Sequence, residues 1–390
     1  MAAASKNLRW SWRSASFRSL VYQVVAVLLV MAAGWYLVHN TLQNMRVRGI
    51  QSGFDFLVQP AGFAISESLF EFDSSETYAR AFLIGLSNTL RVAVVGIMLA
   101  TLVGTLVGIG RLSRNFLIRS LCTAYVELFR NIPLLLQLFM WYFVLTEFLP
   151  PIDEALRPLP NVFFSKNGLQ YPIPVWAMGH AGLAVGALLG CVGSWAWARF
   201  ARRRHEETGR ALPVVLPALA IVVAGGFVGW LAGGAPSAFD LPEKTEITVV
   251  GGGAVTPEFL TVLMGLTLYT ASYIAEIVRG GIQAVAFGQH EAAAALGLSR
   301  VHEIRLILLP QALRVIIPPI TSQYLNLTKN SSLAVAVGYP DLVSISTTSL
   351  NQTGRAIECI SIIMLVYLST SLGTSALMNW YNKRAAIKER

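Results

Sequence analysis

The residues that usually carry chemistry are few in this 390-residue chain, and they do not cluster. The histidines are scattered without metal-ligand spacing, and the three cysteines form no CxxC pair. No segment matches GxxxxGK[ST], the phosphate-binding loop of many ATPases. A membrane enzyme would need clustered His, Asp or Ser side chains on one membrane face. The sequence therefore predicts no catalytic residues, no metal site, no disulfide and no cofactor bound by this chain.

Two basic residues, Arg91 and Lys329, lie inside apolar stretches. A charge in hydrocarbon is costly and by default marks a functional position. Both side chains are therefore candidates to line a polar pathway across the membrane. The alternatives are structural: an ion pair or outward snorkelling for Arg91, and interhelical hydrogen bonding for Lys329.

Two acidic residues, Glu127 and Glu276, lie nearer the ends of apolar stretches. Arginines follow close behind each of them. We expect these carboxylates to form structural ion pairs with Arg130 or Arg279, because an unpaired charge at this depth is unfavourable.

A loop at about 285–310 has the layout of a docking element and reads GQHEAAAALGLSRVHEIRLILLPQALR from Gly288. Glu291 is expected to open a helix, where the helix dipole favours a carboxylate. Ala292, Ala293 and the next two alanines favour a helix without bulk, which suits insertion into the groove of a partner. Gly297 then permits a reversal of the backbone.

A second stretch of this loop begins at Ser299 and carries Ile307, Leu309 and Pro310. Proline has no backbone N–H, so Pro310 is expected to interrupt hydrogen bonding and redirect the chain into the next helix. The alternative is an amphipathic linker with no partner.

Composition places the chain in a membrane. Hydrophobic residues make up 54% of the chain and charged residues only 13%, whereas a soluble domain has about 25% charged residues. The net charge of +9 comes from basic residues in short segments between apolar runs. Those segments lack the aromatic-interleaved surface of a nucleic-acid binder, so no nucleic-acid partner is expected.

The apolar runs predict an all-α polytopic membrane protein with about eight transmembrane helices. The first run, about 20–38, is too long for a signal peptide and is interpreted as an uncleaved anchor. The other seven are expected at about 81–109, 132–149, 175–197, 211–234, 258–278, 311–334 and 358–380. Residues 1–80 would form a cytoplasmic tail, the anchor and a periplasmic interfacial segment, and residues 81–390 a transmembrane domain.

The distribution of basic residues predicts the orientation. Most of the 30 lysines and arginines fall in the two tails and in alternate loops. Because cytoplasmic loops retain such residues, both termini are expected to be cytoplasmic. The tail residues are Lys6, Arg9, Arg13, Arg18, Lys383, Arg384, Lys388 and Arg390.

Small residues recur at every fourth position in three predicted helices. Such stripes let helix backbones approach closely where lipid supplies no hydrophobic drive, so we expect them at helix packing contacts. The stripes are Ala100, Gly104 and Gly108; Gly182, Gly186 and Gly190; and Gly225, Gly229 and Gly233.

The loop at about 285–310 resembles the EAA loop of ATP-binding-cassette (ABC) importer permeases. The shared pattern is Glu-Ala-Ala, three residues, Gly, nine residues, Ile, one residue, Leu-Pro. The matching positions are Glu291, Ala292, Ala293, Gly297, Ile307, Leu309 and Pro310. The resemblance implies that this loop couples the chain to a separate ATPase.

Three further segments resemble the branch of that family for polar amino acids (His, Glu, Gln and Arg). They are Tyr125–Gln137, Tyr273–Ile282 and Lys329–Leu333. Asn330 stands where that branch has an acidic residue, so no role for a charge is transferred to it.

The resemblance implies a type I ABC importer transmembrane domain with a five-helix core. The core helices correspond to the predicted helices within 81–149, 258–334 and 358–380. The N-terminal anchor and an inserted helix pair at about 175–234 make the chain longer than a minimal permease. That layout is similar to the Q-type subunit of general L-amino-acid permeases.

The resemblance also implies partners and a function. The partners would be a homologous second permease, an ABC ATPase dimer that binds ATP and Mg, and a periplasmic amino-acid-binding protein. The function would be import of L-amino acids across the bacterial inner membrane by alternating access. The alternative is a secondary amino-acid carrier that needs no ATPase, which would favour paired intramembrane carboxylates or broken helices in repeated halves.

Overall fold

The structure is a computed structural model that describes residues 12, 14–47, 49, 52–209, 212–245 and 249–385. Several basic residues used above to predict orientation, among them Lys6, Arg9, Arg13, Lys388 and Arg390, lie outside the described residues. The side chains of Lys383 and Arg384 are likewise not described.

The described chain is mainly helical. Its α-helices are α1 (Ala15–Val47), α2 (Tyr78–Gly110), α3 (Phe116–Asn131), α4 (Leu134–Phe143), α5 (Met178–Thr208), α6 (Val215–Ala232), α7 (Pro257–Gln283), α8 (Phe287–Ala295), α9 (Arg300–Glu303), α10 (Leu309–Asn330), α11 (Leu342–Thr353) and α12 (Ala356–Ala385). Short 3₁₀ segments lie at Asp55–Val58, Ile152–Glu154 and Ser331–Val337, and π-helical turns at Val144–Phe148 and Ile304–Leu308.

Seven helical segments in the described chain are long and apolar enough to cross a membrane. They are Phe17–Val47, Tyr78–Gly110, Met178–Thr208, Val215–Ala232, Pro257–Gln283, Arg300–Val337 and Ala356–Trp380. The pair Phe116–Asn131 and Leu134–Phe148, which is bent by 107° at its break, adds an eighth crossing if it counts as one span. The predicted count of about eight therefore holds when the bent pair is one span.

The bend between α3 and α4 has a local cause. Pro133 lacks a backbone N–H, and Ile132 before it is extended, as the residue preceding a proline prefers. The break leaves carbonyl groups without helical partners. The buried Gln137 side chain donates to the carbonyls of Phe129 and Ile132, both at 2.9 Å.

Short β-strands flank the α5–α6 pair, a feature that the sequence did not predict. They are β1 (Leu156–Leu159), β2 (Val162–Ser165), β3 (Gly168–Tyr171), β4 (Ile173–Pro174), β5 (Phe239–Asp240), β6 (Glu243–Lys244), β7 (Val249–Val250) and β8 (Gly253–Val255). The larger sheet has the antiparallel order β1-β2-β3-β8, with Leu169 paired to Val255. Strands of two to four residues are too short to show alternation in the sequence.

The described residues form two compact units: those up to Leu90 together with those from Pro340 onward form one, and those from Arg91 to Tyr339 form the other. In the second unit, α7 is the central helix, and 61% of its apolar stretch is buried. The small-residue stripe of α2 lies against it. A Cβ atom built on Gly104 would lie only 2.7 Å from Ile274 Cβ, so glycine is required for this approach.

The first unit has its own core around the 3₁₀ segment Asp55–Val58. Phe56 is buried, and its ring lies 5.6 Å from that of Tyr78 and 6.4 Å from that of Phe82. Phe56 thus packs inside the protein, although it belongs to the segment predicted to rest in the membrane interface. That segment was predicted for about residues 40–80, and it begins later than this because α1 continues to Val47.

The α5–α6 pair packs through its glycine stripes, as predicted from their spacing. A Cβ atom on Gly225 would lie 2.5 Å from the carbonyl oxygen of Gly186 and 3.3 Å from Gly190 Cα. A Cβ atom on the neighbouring Gly226 would lie no closer than 3.6 Å to any atom, an ordinary contact. The two adjacent glycines therefore differ sharply in how much space they have.

We expect Gly225→Ala to destabilise the chain by about 1–3 kcal/mol, because the methyl group forces two backbones apart. Gly226→Ala is the matched control and should be neutral or slightly stabilising, because alanine favours a helix more than glycine does. Thermal unfolding of the detergent-purified full-length chain measures both. Equal unfolding temperatures for the two variants would contradict the packing described here.

Candidate functional site

The predicted docking loop forms a compact two-helix projection, α8 followed by α9. α8 ends in a hydrogen-bonded reversal, in which Leu298 N donates to Ala293 O at 3.1 Å and Gly297 N donates to Ala294 O at 2.9 Å. This is the pattern of a helix that stops at a left-handed residue. Gly297 has φ +67°, which confirms the reversal predicted for it.

The start of this projection differs from the prediction for Glu291. The helix begins at Phe287, so Glu291 lies in its second turn and does not open it. Ala286 is the extended residue at the boundary, and the polar residues before Glu291 continue the helix. The Glu291 side chain is exposed, whereas Ala293 is buried against the protein.

The role predicted for Pro310 is wrong in one respect. The helical stretch continues from Arg300 through the π-helical turn Ile304–Leu308 into α10, so Pro310 does not redirect the chain. It lies in the first turn of α10, where proline is tolerated. The wider π-helical turn before it absorbs the change in hydrogen bonding. Ile307 is partly buried and Leu309 exposed on this stretch.

A buried carboxylate that the sequence analysis did not single out holds the projection together. Glu303 on α9 is only 8% exposed. Its oxygens contact Nδ1 of His290 on α8 and Nη1 of Arg300, the latter at 3.1 Å. Gln311 Nε2 adds a hydrogen bond to Gln289 Oε1 at 3.2 Å. These contacts join α8 to the beginning of the long helical stretch, so the two should move together.

The projection exposes three large apolar side chains. Phe287, Leu296 and Val301 are each at least 70% exposed. Large exposed apolar side chains mark contacts with another protein or with a membrane. Phe287 and Leu296 lie before the membrane-crossing stretch Arg300–Val337, so the contact expected for them is with another protein. The projection therefore has the surface of a docking element and is fixed to a membrane-crossing helix.

Glu276 on α7 is the centre of an ionic cluster. Its carboxylate contacts the guanidinium groups of Arg111 and Arg279, and Arg130 Nη1 lies 4.0 Å away. The Arg111 side chain is only 10% exposed. Arg130 also stacks over the Tyr273 ring, with 5.3 Å to its centroid. The predicted pairing of Glu276 is present, with Arg111 as a partner that the sequence analysis missed.

The ion pair predicted for Glu127 is not formed within the described chain. Its side chain is exposed, while the preceding Val126 is the buried residue of α3. Adjacent helical residues point about 100° apart, so burying Val126 turns Glu127 away from the Glu276 cluster.

The two candidate pathway residues have different surroundings. The Arg91 guanidinium stacks over the Phe259 ring at 4.1 Å from its centroid. Lys329 is exposed in the last turn of α10, and its ammonium group has no ion pair or hydrogen bond among the described residues. A cation near a helix C-terminus is favoured by the dipole. The interhelical hydrogen bond given above as the structural alternative for Lys329 is not formed among the described residues.

A second buried carboxylate, Asp341, lies at the start of α11. Its Oδ1 accepts a hydrogen bond from Ser344 N at 2.8 Å, the bond of a helix N-cap. Its Oδ2 is buried without a hydrogen-bond partner in the described structure. Desolvation by burial raises the pKa of Asp341 to about 7. The sequence analysis did not predict this site. The one local signal for it is that Asp341 follows Pro340 at the start of a helix.

Comparison with known proteins places the bundle and its projecting loop among membrane permeases. Residues 182–387 match the family described as the inner membrane component of binding-protein-dependent transport systems. The general L-amino acid transport system permease protein AapQ of Rhizobium johnstonii is 47% identical over 98% of this chain and 96% of its own length. BztB of Rhodobacter capsulatus, a glutamate/glutamine/aspartate/asparagine transport system permease protein, is 41% identical over 96% of this chain and 95% of its own.

The chain belongs to this family of inner membrane components. It is a permease subunit of an ABC importer and not itself an enzyme. This confirms the family, the fold class and the transport role expected from the EAA-like loop, and it decides against a secondary carrier.

The titration of Asp341 gives a prediction about stability. Its pKa rises from 3.8 to about 7, so the folded state binds this proton more tightly than the unfolded state. Stability is then lost as pH rises from the unfolded pKa to the folded pKa. Asp341→Asn keeps an N-cap acceptor and removes the charge. We expect its free energy of unfolding at pH 8 to exceed that of the wild type by about 1 kcal/mol or more, with a smaller gain at pH 5. The unfolding temperature should rise accordingly.

Asp73→Asn is the matched control in the same unit, because hydrogen bonds from Ser75 lower the pKa of this exposed carboxyl. It should give no stabilisation at pH 8. Thermal unfolding at both pH values measures the two variants, and a gain for Asp341→Asn that is the same at pH 5 and pH 8 would contradict the titration.

Proposed function

We propose that the chain imports L-amino acids from the periplasm to the cytoplasm as one permease of an ATP-driven transporter. The observation that carries the choice of substrate is similarity along nearly the whole chain to AapQ and BztB, whose names specify amino acids. The proposed machine contains a homologous second permease, an ABC ATPase dimer that binds ATP and Mg, and a periplasmic amino-acid-binding protein. It lies in the bacterial inner membrane with both termini cytoplasmic.

The α8–α9 projection is the proposed docking element for the ATPase. Its exposed apolar face would occupy a groove on the ATPase, and Glu291 and Ala292 are exposed at the same place. When ATP draws the ATPase subunits together, the projection moves with its groove. The contacts of Glu303 pass this movement to the helical stretch Arg300–Val337, which crosses the membrane. The central cavity then opens outward, and hydrolysis reverses the tilt.

The remaining residues that match the family pattern have mechanical roles in this proposal. Gly297 ends α8 at the correct angle, and Ile307, Leu309 and Pro310 lie where the projection becomes a membrane helix. A rigid connection at this point is needed, because a flexible one would absorb the movement of the ATPase before it reached the membrane.

Arg91 is the proposed contact for the carboxylate of the substrate. An amino acid is a zwitterion, so its passage through low dielectric needs polar groups that replace its hydration. Stacking on Phe259 uses the face of the guanidinium and orients its N–H donors in the plane, which suits bidentate recognition of a carboxylate. Lys329 is the second candidate, as an exposed cation within a membrane helix.

The coupling role is tested at Gly297. A Cβ atom there meets nothing within 4 Å, so a substitution acts through the backbone angle and not through a clash. Valine is strongly disfavoured at φ +67°, whereas asparagine tolerates it. We expect Gly297→Val to lower uptake per ATP hydrolysed at least about tenfold and Gly297→Asn to stay within about twofold of wild type.

The measurement is amino-acid uptake and ATP hydrolysis by the assembled importer in proteoliposomes, with assembly checked by co-purification. If Gly297→Val moves as much substrate per ATP as the wild type, the projection is not the coupling element. Wild-type uptake by vesicles that lack the ATPase would instead overturn the transport mechanism as a whole.

The pathway assignments are tested by Arg91→Ala and Lys329→Ala. Loss of a charged hydrogen bond to substrate should raise the KM for uptake about tenfold. Arg91→Lys separates charge from stacking and should recover only part of the loss. Glu127→Gln is the control, because this carboxylate is exposed and unpaired in the described structure. A KM that stays at the wild-type value in both alanine variants removes both residues from the pathway.

A further inference from the structure

The end of α5 farther from the strands carries a basic cluster that the transport mechanism does not use. Its members are Arg199, Arg202, Arg203 and Arg204, here called the basic collar. α5 has 31 residues and α6 has 18, which correspond to about 46 Å and 27 Å of helix. The hydrocarbon core of a bilayer is about 30 Å thick, so α6 matches it and α5 continues about 15 Å beyond. The basic collar lies on that continuation.

The four guanidinium groups have no anionic partner in the described structure. All four side chains are exposed, and none forms an ion pair with a described residue. Arg199, Arg202 and Arg203 follow the spacing of one helical face. Three cations side by side on one exposed face repel one another unless an anion lies between them.

Aromatic side chains orient part of the basic collar. Arg199 stacks over the Trp195 ring at 4.1 Å, and Arg204 lies 6.0 Å from the centroid of Phe200. Trp and Tyr are enriched at the level of the headgroups of a membrane. Stacking occupies the face of a guanidinium and leaves the N–H donors in its plane, which is the geometry that grips a phosphate.

The surroundings of the hairpin formed by α5 and α6 indicate what these donors meet. Only 11% of the apolar stretch of α5 and 6% of the apolar stretch of α6 is buried within the described chain. The rest of this apolar surface is not covered by the described chain, and in a membrane lipid is the solvent that covers such a surface. Glu206 and Glu207 follow the basic collar on α5 but form no ion pair with it in the described structure. At the end of an apolar surface in a membrane, the other anion within reach of these arginines is the phosphate of a lipid headgroup.

We propose that the basic collar binds the headgroups of anionic phospholipids and so anchors the α5–α6 hairpin in the membrane. A role in topology alone needs only positive charge, and lysine or arginine anywhere near the helix end would supply it. Stacked and planar guanidiniums add a specific geometry that topology does not need. The proposal does not depend on the substrate or on the ATPase.

The test measures lipid selectivity of the full-length chain. The purified chain is equilibrated with equal amounts of phosphatidylglycerol and phosphatidylcholine, and the retained lipid is counted by native mass spectrometry. Each positive charge near an anionic surface contributes about fivefold in affinity. We therefore expect Arg202→Gln with Arg203→Gln to lower the preference for phosphatidylglycerol about thirtyfold.

Two matched variants separate the explanations. Arg202→Lys with Arg203→Lys keeps the charge that sets topology but loses the planar fork, and should retain an intermediate preference. Arg114→Gln with Arg119→Gln removes two exposed arginines outside the basic collar and should lower the preference less than the Arg202 and Arg203 glutamine variant does. The proposal is overturned if the wild type binds both lipids equally, or if the Arg202 and Arg203 glutamine variant keeps its preference. It is also overturned if the Arg114 and Arg119 variant loses as much.

Discussion

The constraint that governs this protein is that every backbone polar group inside hydrocarbon needs a partner within the protein. Long helices satisfy it without help, and two departures from a helix are each supported by a specific side chain. Gln137 donates to two carbonyls freed at the α3–α4 bend. Asn88 similarly donates to the carbonyls of Glu67 and Pro340, at 2.8 and 2.9 Å. Polar residues in this apolar chain thus mark the places where the chain changes direction.

The same constraint explains how much of the structure could be predicted from the sequence. The membrane helices, the glycine contacts and the reversal at Gly297 follow from local patterns, namely apolar length, four-residue spacing and glycine at a helix end. Glu303 lies within the docking loop predicted at about 285–310, yet its role depends on α8 folding back to bring His290 against it. The short strands, the Arg111 contact to Glu276 and the burial of Asp341 likewise depend on segments far apart in the chain. Residue types within one window do not contain that information.

The two carboxylates Glu303 and Glu276 each join separate segments of the chain. Glu303 joins α8 to α9, and Glu276 gathers arginines from three different segments, the end of α2, α3 and α7. At both places, ionic contacts connect segments that apolar side chains could otherwise connect by packing. Ion pairs suit parts that must shift, because a guanidinium can exchange one carboxylate oxygen for the other without opening a cavity, whereas close-packed side chains lose contacts on any displacement. The Glu276 cluster is such a joint and allows α2, α3 and α7 to tilt while remaining connected, whereas Glu303 holds α8 and α9 together as one body.

The α5–α6 hairpin illustrates the opposite solution. Its glycines bring two backbones into contact, so the pair is rigid internally and cannot slide without a clash. A rigid pair with little burial elsewhere has no apolar contact to fix its depth or tilt, because lipid is as apolar as its surface. Only groups at the ends of its helices can do so. The strands bracket one end through the pairing of β3 with β8, and arginines stacked on aromatic rings occupy the end of α5 at the other. Depth is therefore set by polar groups at both membrane surfaces, and the apolar middle contributes only stiffness.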